Sequence, residues 1–460
     1  MMRWKETFKT VILNLLILTS FILTSMLWSN QPQLQFIEPV QYVESKPVQT
    51  RQLKELVTPE AIIFHYGDDL HTRASASYAH YRYITQEMEK WYFNDLRYYP
   101  LDDDKWEALT TRYRGLEILF RGQVPMPVIT QLYMINGDTY DQQAEIDRIW
   151  LYLEEEENVV YALFISSERK MVLRARTVVS PKDLLESYLP PGRPLPEQFL
   201  KVTRLLSESE SDRLKRPFWQ IFYLPKEQLT MQKFLYNYLP VTEDELMEAY
   251  FLDRTLVRRI VERDRTVIFT DGSRSIQMQP DRQVITFTDP AFHQGTTQLN
   301  PEEKVREAIT FINKHLGWTD DYHFEKIEED EAQGDTISFR QYIGAYPLVN
   351  GDAYPLDTIT VTSEYGQVAT VNRSLIDLDK YIDNEEWTVM SGPELFGYLR
   401  EHEQLDTNLV THAYLAYQTL VHQGYVELTP VWVVEMQDGQ QYVVQAQSLP
   451  EEGGEAHGLE

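Results

Sequence analysis

The hydrophobic pattern opens on one long apolar run, residues 11–28, VILNLLILTSFILTSMLW. As a helix it spans about 27 Å, close to the hydrocarbon thickness of a bilayer. Asn14, Thr19, Ser20, Thr24 and Ser25 interrupt it. Hydroxyls cost little there because they hydrogen-bond the preceding turn, whereas the Asn14 amide is costlier in lipid and calls for a protein partner. A cleaved signal would end in a small-x-small site; this run ends Met26, Leu27, Trp28, and Trp28 suits a membrane interface. Arg3, Lys5 and Lys9 precede the run, and the next basic residue is Lys46. The positive-inside rule therefore predicts a single-pass anchor with its N-terminus in the cytoplasm and the bulk of the chain outside the cell.

Beyond the anchor the apolar spacing shortens. Residues 61–66 read as a buried strand stopped at Gly67, residues 78–96 as a helix, and residues 102–113 as a second helix. Strands are predicted over 116–120, 146–153, 159–165 and 171–179, then a short helix over 180–189. The PPGRPLP segment, residues 190–196, reads as a boundary. Next come a strand over 218–224 and a helix from Glu243, which Thr242 and Glu245 frame as a capping box. A meander follows over 266–270, 275–279 and 283–288, with Asp271-Gly272 as a hairpin turn. Asn300, Pro301, Glu302 and Glu303 open the clearest helix. Strands follow over 322–327, 336–346, 358–363 and 367–374. The same order of helix, then strands, recurs over 393–403, 412–421, 426–436 and 441–445.

The prediction is an α+β fold, a transmembrane helix followed by helices packed on mainly antiparallel sheets. The expected organisation is stub and anchor over 1–29, a linker over 30–52 and an α/β domain over 53–195. A β-meander domain over 196–295, a helix-plus-sheet domain over 296–450 and a disordered tail over 451–460 complete it.

Composition narrows the function. The net charge of −28 disfavours nucleic acid as a partner. The chain holds no Cys, so no disulfide is expected. Ser167-Glu-Arg-Lys170 fits an S-x-x-K pattern, but it falls in a turn between strands instead of opening a helix. His65, His71 and His80 fit no compact ligand spacing and read as surface or turn histidines, and His412 and His422 are equally bland. Asp377, Asp379 and Asp383 suggest a calcium loop, but Tyr381 occupies a ligand position and the required Gly is missing. No catalytic, cofactor or metal residues are expected. The aromatic cluster Tyr78, Tyr81, Tyr83, Trp91, Tyr92, Phe93, Tyr98, Tyr99 reads as core plus rim, with a peptide- or glycan-sensing surface as the alternative.

Four segments then stand together: TVILNLLILTSFILTSMLWSNQP, LKELVTPEAIIFHYGD, FTDGSRSIQMQPDRQVITFTDP and ISFRQYIGAYPLVNG with TITVTSEYGQVATVNRS. In this order, over nearly the whole chain, they resemble the YycH (WalH) family of Gram-positive Bacillota. The resemblance implies a membrane-anchored extracytoplasmic regulator of the sensor histidine kinase WalK (YycG), whose response regulator is WalR, in the control of cell-wall metabolism. It implies a second anchored partner, YycI, whose fold resembles the C-terminal part, and no catalysis or cofactor. An anchored cell-wall-modifying enzyme is the remaining alternative.

The partner-binding residues are then expected on the anchor. One helix face carries Asn14, Leu18, Phe21 and Ser25; another carries Ser20 and Thr24 at small-xxx-small spacing.

Overall fold

The structure is a computed structural model that describes residues 2–29, 49–136, 143–190, 195–206, 217–290, 299–330, 334–350, 357–364 and 366–448. Helix α1, Met2–Ser29, is uninterrupted over 28 residues, about 42 Å at 1.5 Å per residue. It belongs to one unit, Met1–Lys46; Pro47–Glu460 form the other. The hydroxyls of Thr19 and Thr24 donate to the Leu15 and Ser20 carbonyls at 2.8 Å each, the back-bonding expected of hydroxyls in an apolar helix. Among the described residues no helix is long and apolar enough to cross a membrane, so the spanning anchor rests on the sequence. Residues 30–48 of the expected linker and the tail from 451 lie outside the described residues.

The second unit is built on two sheets. The first has 10 strands: β1 (Ala61–Tyr66), β2 (His71–Ala74), β3 (Tyr92–Tyr98), β4 (Arg114–Pro125), β5 (Met134–Asn136), β6 (Glu145–Glu154), β7 (Val159–Ser166), β8 (Met171–Thr177), β9 (Glu197–Leu206) and β10 (Pro217–Pro225). Their spatial order is β10-β9-β2-β1-β4-β6-β7-β8-β3-β5. The second has 14 strands. Its first half is β11 (Leu229–Pro240), β12 (Arg258–Val261), β13 (Val267–Thr270), β14 (Ser275–Gln279), β15 (Val284–Thr288), β16 (Asp321–Glu328) and β17 (Asp335–Ile343). Its second half is β18 (Tyr346–Asn350), β19 (Thr358–Glu364), β20 (Gln367–Ser374), β21 (Ile376–Val389), β22 (Val410–Val421), β23 (Tyr425–Met436) and β24 (Gln441–Gln445). The spatial order is β12-β13-β14-β15-β20-β19-β17-β18-β22-β23-β11-β21, with β16 on β17 and β24 on β23. Pairing is antiparallel except β3 with β5 and β18 with β22, so the mainly antiparallel α+β expectation holds.

Helices α2 (Leu53–Leu56), α3 (Ala79–Met88), α4 (Asp103–Thr111), α5 (Met126–Leu132), α6 (Glu243–Tyr250), α7 (Pro301–Lys314) and α8 (Gly392–Glu401) pack among these strands. Thr242, Asn300 and Ser391 cap α6, α7 and α8, each with a Glu three residues on closing a capping box. The apolar face of α7, Val305, Ala308, Ile309 and Ile312, enters one core with Phe64, Leu116 and Phe164 of the first sheet and Ile84 of α3. The same core takes Phe269, Phe287, Phe339 and Val371 of the second sheet. Asn313 of α7 exchanges hydrogen bonds with the Arg51 backbone, at 2.9 Å in both directions, so the unit begins before α2.

Two sequence expectations change. The helix over 78–96 stops at Met88, and Tyr92–Tyr98 is strand β3, held by β8 and β5. Strands β9 and β10, expected in a middle domain, extend the first sheet through β2, while the meander β13-β14-β15 joins β20 in the second. Asp377, Asp379 and Asp383, which lack the calcium-loop pattern in sequence, lie on β21, which pairs with β11.

The two sheets meet where β4 passes β16. A Cβ built on Gly122 would lie 1.4 Å from the Glu325 carbonyl oxygen, so this backbone approach admits only glycine. Gly122→Ala is expected to lower stability by about 1–3 kcal/mol. Gly397→Ala, in open space on α8, is expected to raise it by up to about 1 kcal/mol. Denaturant midpoints of the two purified variants check both signs.

Candidate functional site

Strands β1 and β2 form a hairpin whose register sets His65 opposite His71. Both side chains are buried, and their Nδ1 atoms lie 2.9 Å apart. That contact needs one N–H and one lone pair. Behind His65, its Nε2 lies 3.4 Å from the Glu117 carboxylate on β4. An ionised Glu117 favours the tautomer in which His71 donates and His65 turns its Nε2–H toward the carboxylate. The His65 ring stacks on Trp150, with centroids 4.5 Å apart.

Glu117 is fully buried. Arg148 donates to its Oε1 at 2.7 Å, and the Tyr223 hydroxyl donates to its Oε2 at 2.7 Å. Burial pushes the Glu117 pKa up, but the Arg148 charge, the nearby His65 and the Tyr223 hydroxyl outweigh it and hold the group below the ordinary carboxylate range. Burial above all, and then the neighbouring Glu117 charge, push Tyr223 well up. Arg148 also donates to the Ile221 carbonyl at 3.0 Å and to Asp147 at 3.2 Å. Its donors thus span β4, β6 and β10. Desolvation and then the neighbouring His65 charge lower the His71 pKa to about 3, against the opposing pull of Glu117.

The histidines expected at the surface are therefore a buried pair. A six-residue gap fits no compact metal loop. It does fit a hairpin whose turn begins at Gly67, which places residues 65 and 71 face to face. Among the described residues no group of three or more His, Cys, Asp and Glu could hold a metal ion. Ser167 sits in the β7–β8 turn, where its N–H and hydroxyl both donate to Asp147 at 2.6 Å. The hydroxyl thereby joins the network through Asp147, which Arg148 also contacts.

The aromatic cluster divides. Tyr81, Trp91 and Phe93 are core, with Tyr81 donating to the Pro59 carbonyl and Phe93 meeting Phe164 edge-on. Tyr78, Tyr83, Tyr92 and Tyr98 are exposed. On α1, Leu18 is 64% and Phe21 74% exposed, and Ile12, Leu13, Leu15, Leu16, Ile17, Ile22 and Leu23 are exposed as well. Asn14 lies among them, and its amide has no hydrogen-bond partner among the described residues. Ser20 accepts from Thr24 through its carbonyl, and the Ser25 side chain lies outside the described set.

Two mainly antiparallel sheets around a shared core, a buried polar network, and an apolar helix in a unit of its own define a two-sheet α+β protein. The chain belongs to the YycH family. Residues 6–187 match "YycH protein, N-terminal domain" and residues 220–447 match "YycH protein, C-terminal domain". It is 22% identical over 456 residues to the "Two-component system WalR/WalK regulatory protein YycH" of Bacillus subtilis (strain 168), covering 94% of this chain and 95% of that protein. The crystal structure of YycH from Bacillus subtilis shares its fold, with a TM-score of 0.65 at 19% identity over 86% of this chain and 98% of that one.

The histidine pair gives a pH dependence. Below about pH 6.5 the unfolded chain protonates residue 71, and the folded chain does so only near pH 3. Stability therefore falls as the pH drops through this window, by at most about 1.4 kcal/mol per pH unit for one group. Glu117 adds a loss of the same sign in the carboxylate range. In His71→Gln the decline between pH 6.5 and 4.5 should be shallower than in the parent, read from unfolding midpoints across a pH series.

Proposed function

We propose that the chain is a membrane-anchored, extracytoplasmic regulator that restrains the sensor histidine kinase WalK, acting with a YycI-like partner, in the control of cell-wall metabolism. The observation that carries this reading is the uncovered apolar surface of α1 with an amide in its midst that has no partner among the described residues. So many exposed apolar side chains on one helix need lipid or other helices around them. Arg3, Lys5 and Lys9 ahead of the run orient the N-terminus to the cytoplasm, and the acidic remainder suits the outside. The YycH relative's description as a regulatory protein of WalR/WalK supports the choice of kinase.

The anchor works by packing against transmembrane helices of the kinase and of the YycI-like protein, biasing a two-state kinase. Lipid supplies no hydrophobic drive between helices, so packing and interhelical hydrogen bonds decide the association. Asn14, Leu18, Phe21 and Ser25 form the contacting face, with Ser20 and Thr24 on the alternative one. The Thr24 hydroxyl is already satisfied within its own helix, whereas the Asn14 amide is available.

Asn14→Leu keeps the helix apolar and removes the amide. The expected loss is about 0.6 to 2 kcal/mol of association, seen as weaker co-purification of WalK with the full-length protein and as derepressed WalR-dependent transcription. Unchanged co-purification and unchanged transcription would overturn the role of Asn14.

A further inference from the structure

On the first sheet, β3 and β8 hold an arrangement that the regulator reading leaves unused. Arg97 on β3 stands directly opposite Arg174 on β8, and Arg176 follows two residues on, opposite Asn94. Like charges facing each other across a strand pair repel. Among the described residues no carboxylate forms an ion pair with any of the three, in a chain whose net charge is −28. A local conflict of this kind, with so many acids available elsewhere to relieve it, marks a functional position.

The local geometry keeps the arginines together. The β3–β8 register is irregular between Asn94 and Arg97, where Asp95 takes a φ of 56°. Bulges re-aim side chains beside binding sites. The Arg174 guanidinium lies 3.8 Å from the Tyr99 ring centroid and 4.6 Å from that of Tyr161. Two aromatic faces thus fix its position ahead of any ligand, which lowers the entropy lost on binding. Arg97 and Arg176 are exposed, and Tyr98 is 50% exposed. With Asp95, these residues line an open cleft of about 310 Å³.

We propose that this cleft binds a phosphate or carboxylate group carried on a small polyol or sugar. Guanidinium forks match the paired oxygens of either anion. The tyrosine rings offer an apolar face with a polar tip to the carbon skeleton. Asp95 at the rim selects against a more extended anion. The site lies wholly within the unit Pro47–Glu460.

The test titrates full-length protein in detergent micelles with inorganic phosphate, glycerol 3-phosphate and galacturonate, read by calorimetry. The expected result is saturable binding of at least one probe, weakened at least about tenfold by Arg97→Gln combined with Arg176→Gln, with an unfolding midpoint no lower than the parent's. Glycerol 3-phosphate above galacturonate assigns a phosphate ligand; the reverse order assigns a uronic acid. Arg174→Gln serves as the second variant, losing binding even if it also loosens the tyrosine stack. No saturable binding of any probe up to 20 mM (roughly 2 kcal/mol of affinity), or equal binding by parent and double variant, would overturn the proposal.

Discussion

A carboxylate without water organises the first sheet. Glu117 lies in the middle of β4 with β1 on one side and β6 on the other, and its charge stays inside the protein only because Arg148 and Tyr223 reach it. A buried charge of this kind is tolerated when it is paired and hydrogen-bonded and is costly when one partner goes. The consequence runs outward. Arg148 draws β10 over this face through the Ile221 carbonyl. Alternation along β10 then sends Ile221 and Tyr223 into the cluster around Trp150, and Phe222 and Leu224 into the cluster of the second sheet. One strand thus joins both sheets, with the network on one of its faces and an apolar core on the other.

Local signals were legible wherever they sat in consecutive residues. Thr242 with Glu245 and Asn300 with Glu303 read as capping boxes and are so in the structure. Asp271-Gly272 reads as a hairpin turn and lies between the paired strands β13 and β14, Gly272 taking positive φ. What stayed hidden depends on partners far along the chain. The β21 sequence IDLDKYIDNEEWTV is polar and largely exposed and has no strand pattern of its own; its pairing with β11 supplies what its composition lacks. Tyr92–Tyr98 continues a helical spacing, yet as a strand it pairs with β8 and buries Phe93 and Leu96, and tertiary pairing overrode the local period. The His65–His71 pair was hidden for another reason: its spacing matters as hairpin register, not as ligand spacing. Nothing in the sequence of residues 117 and 148 marks them as partners, because the sheet alone brings them together.

Apolar surface has opposite fates in the two units. In Pro47–Glu460 it is gathered into cores that run across both sheets. On α1 the large side chains between Ile12 and Leu23 stay exposed. The first unit therefore carries a dense run of exposed apolar side chains, and the regulator reading assigns that run to lipid and to partner helices.

The central claim is that α1 is the working surface and more than a tether. The measurement that tests it most directly replaces α1 in the full chain by an unrelated single-span helix of the same orientation and reads a WalR-dependent transcriptional reporter in cells. The account predicts that regulation is lost while the amount of protein exposed outside the membrane is unchanged. Full regulation by the helix-swapped chain would contradict it.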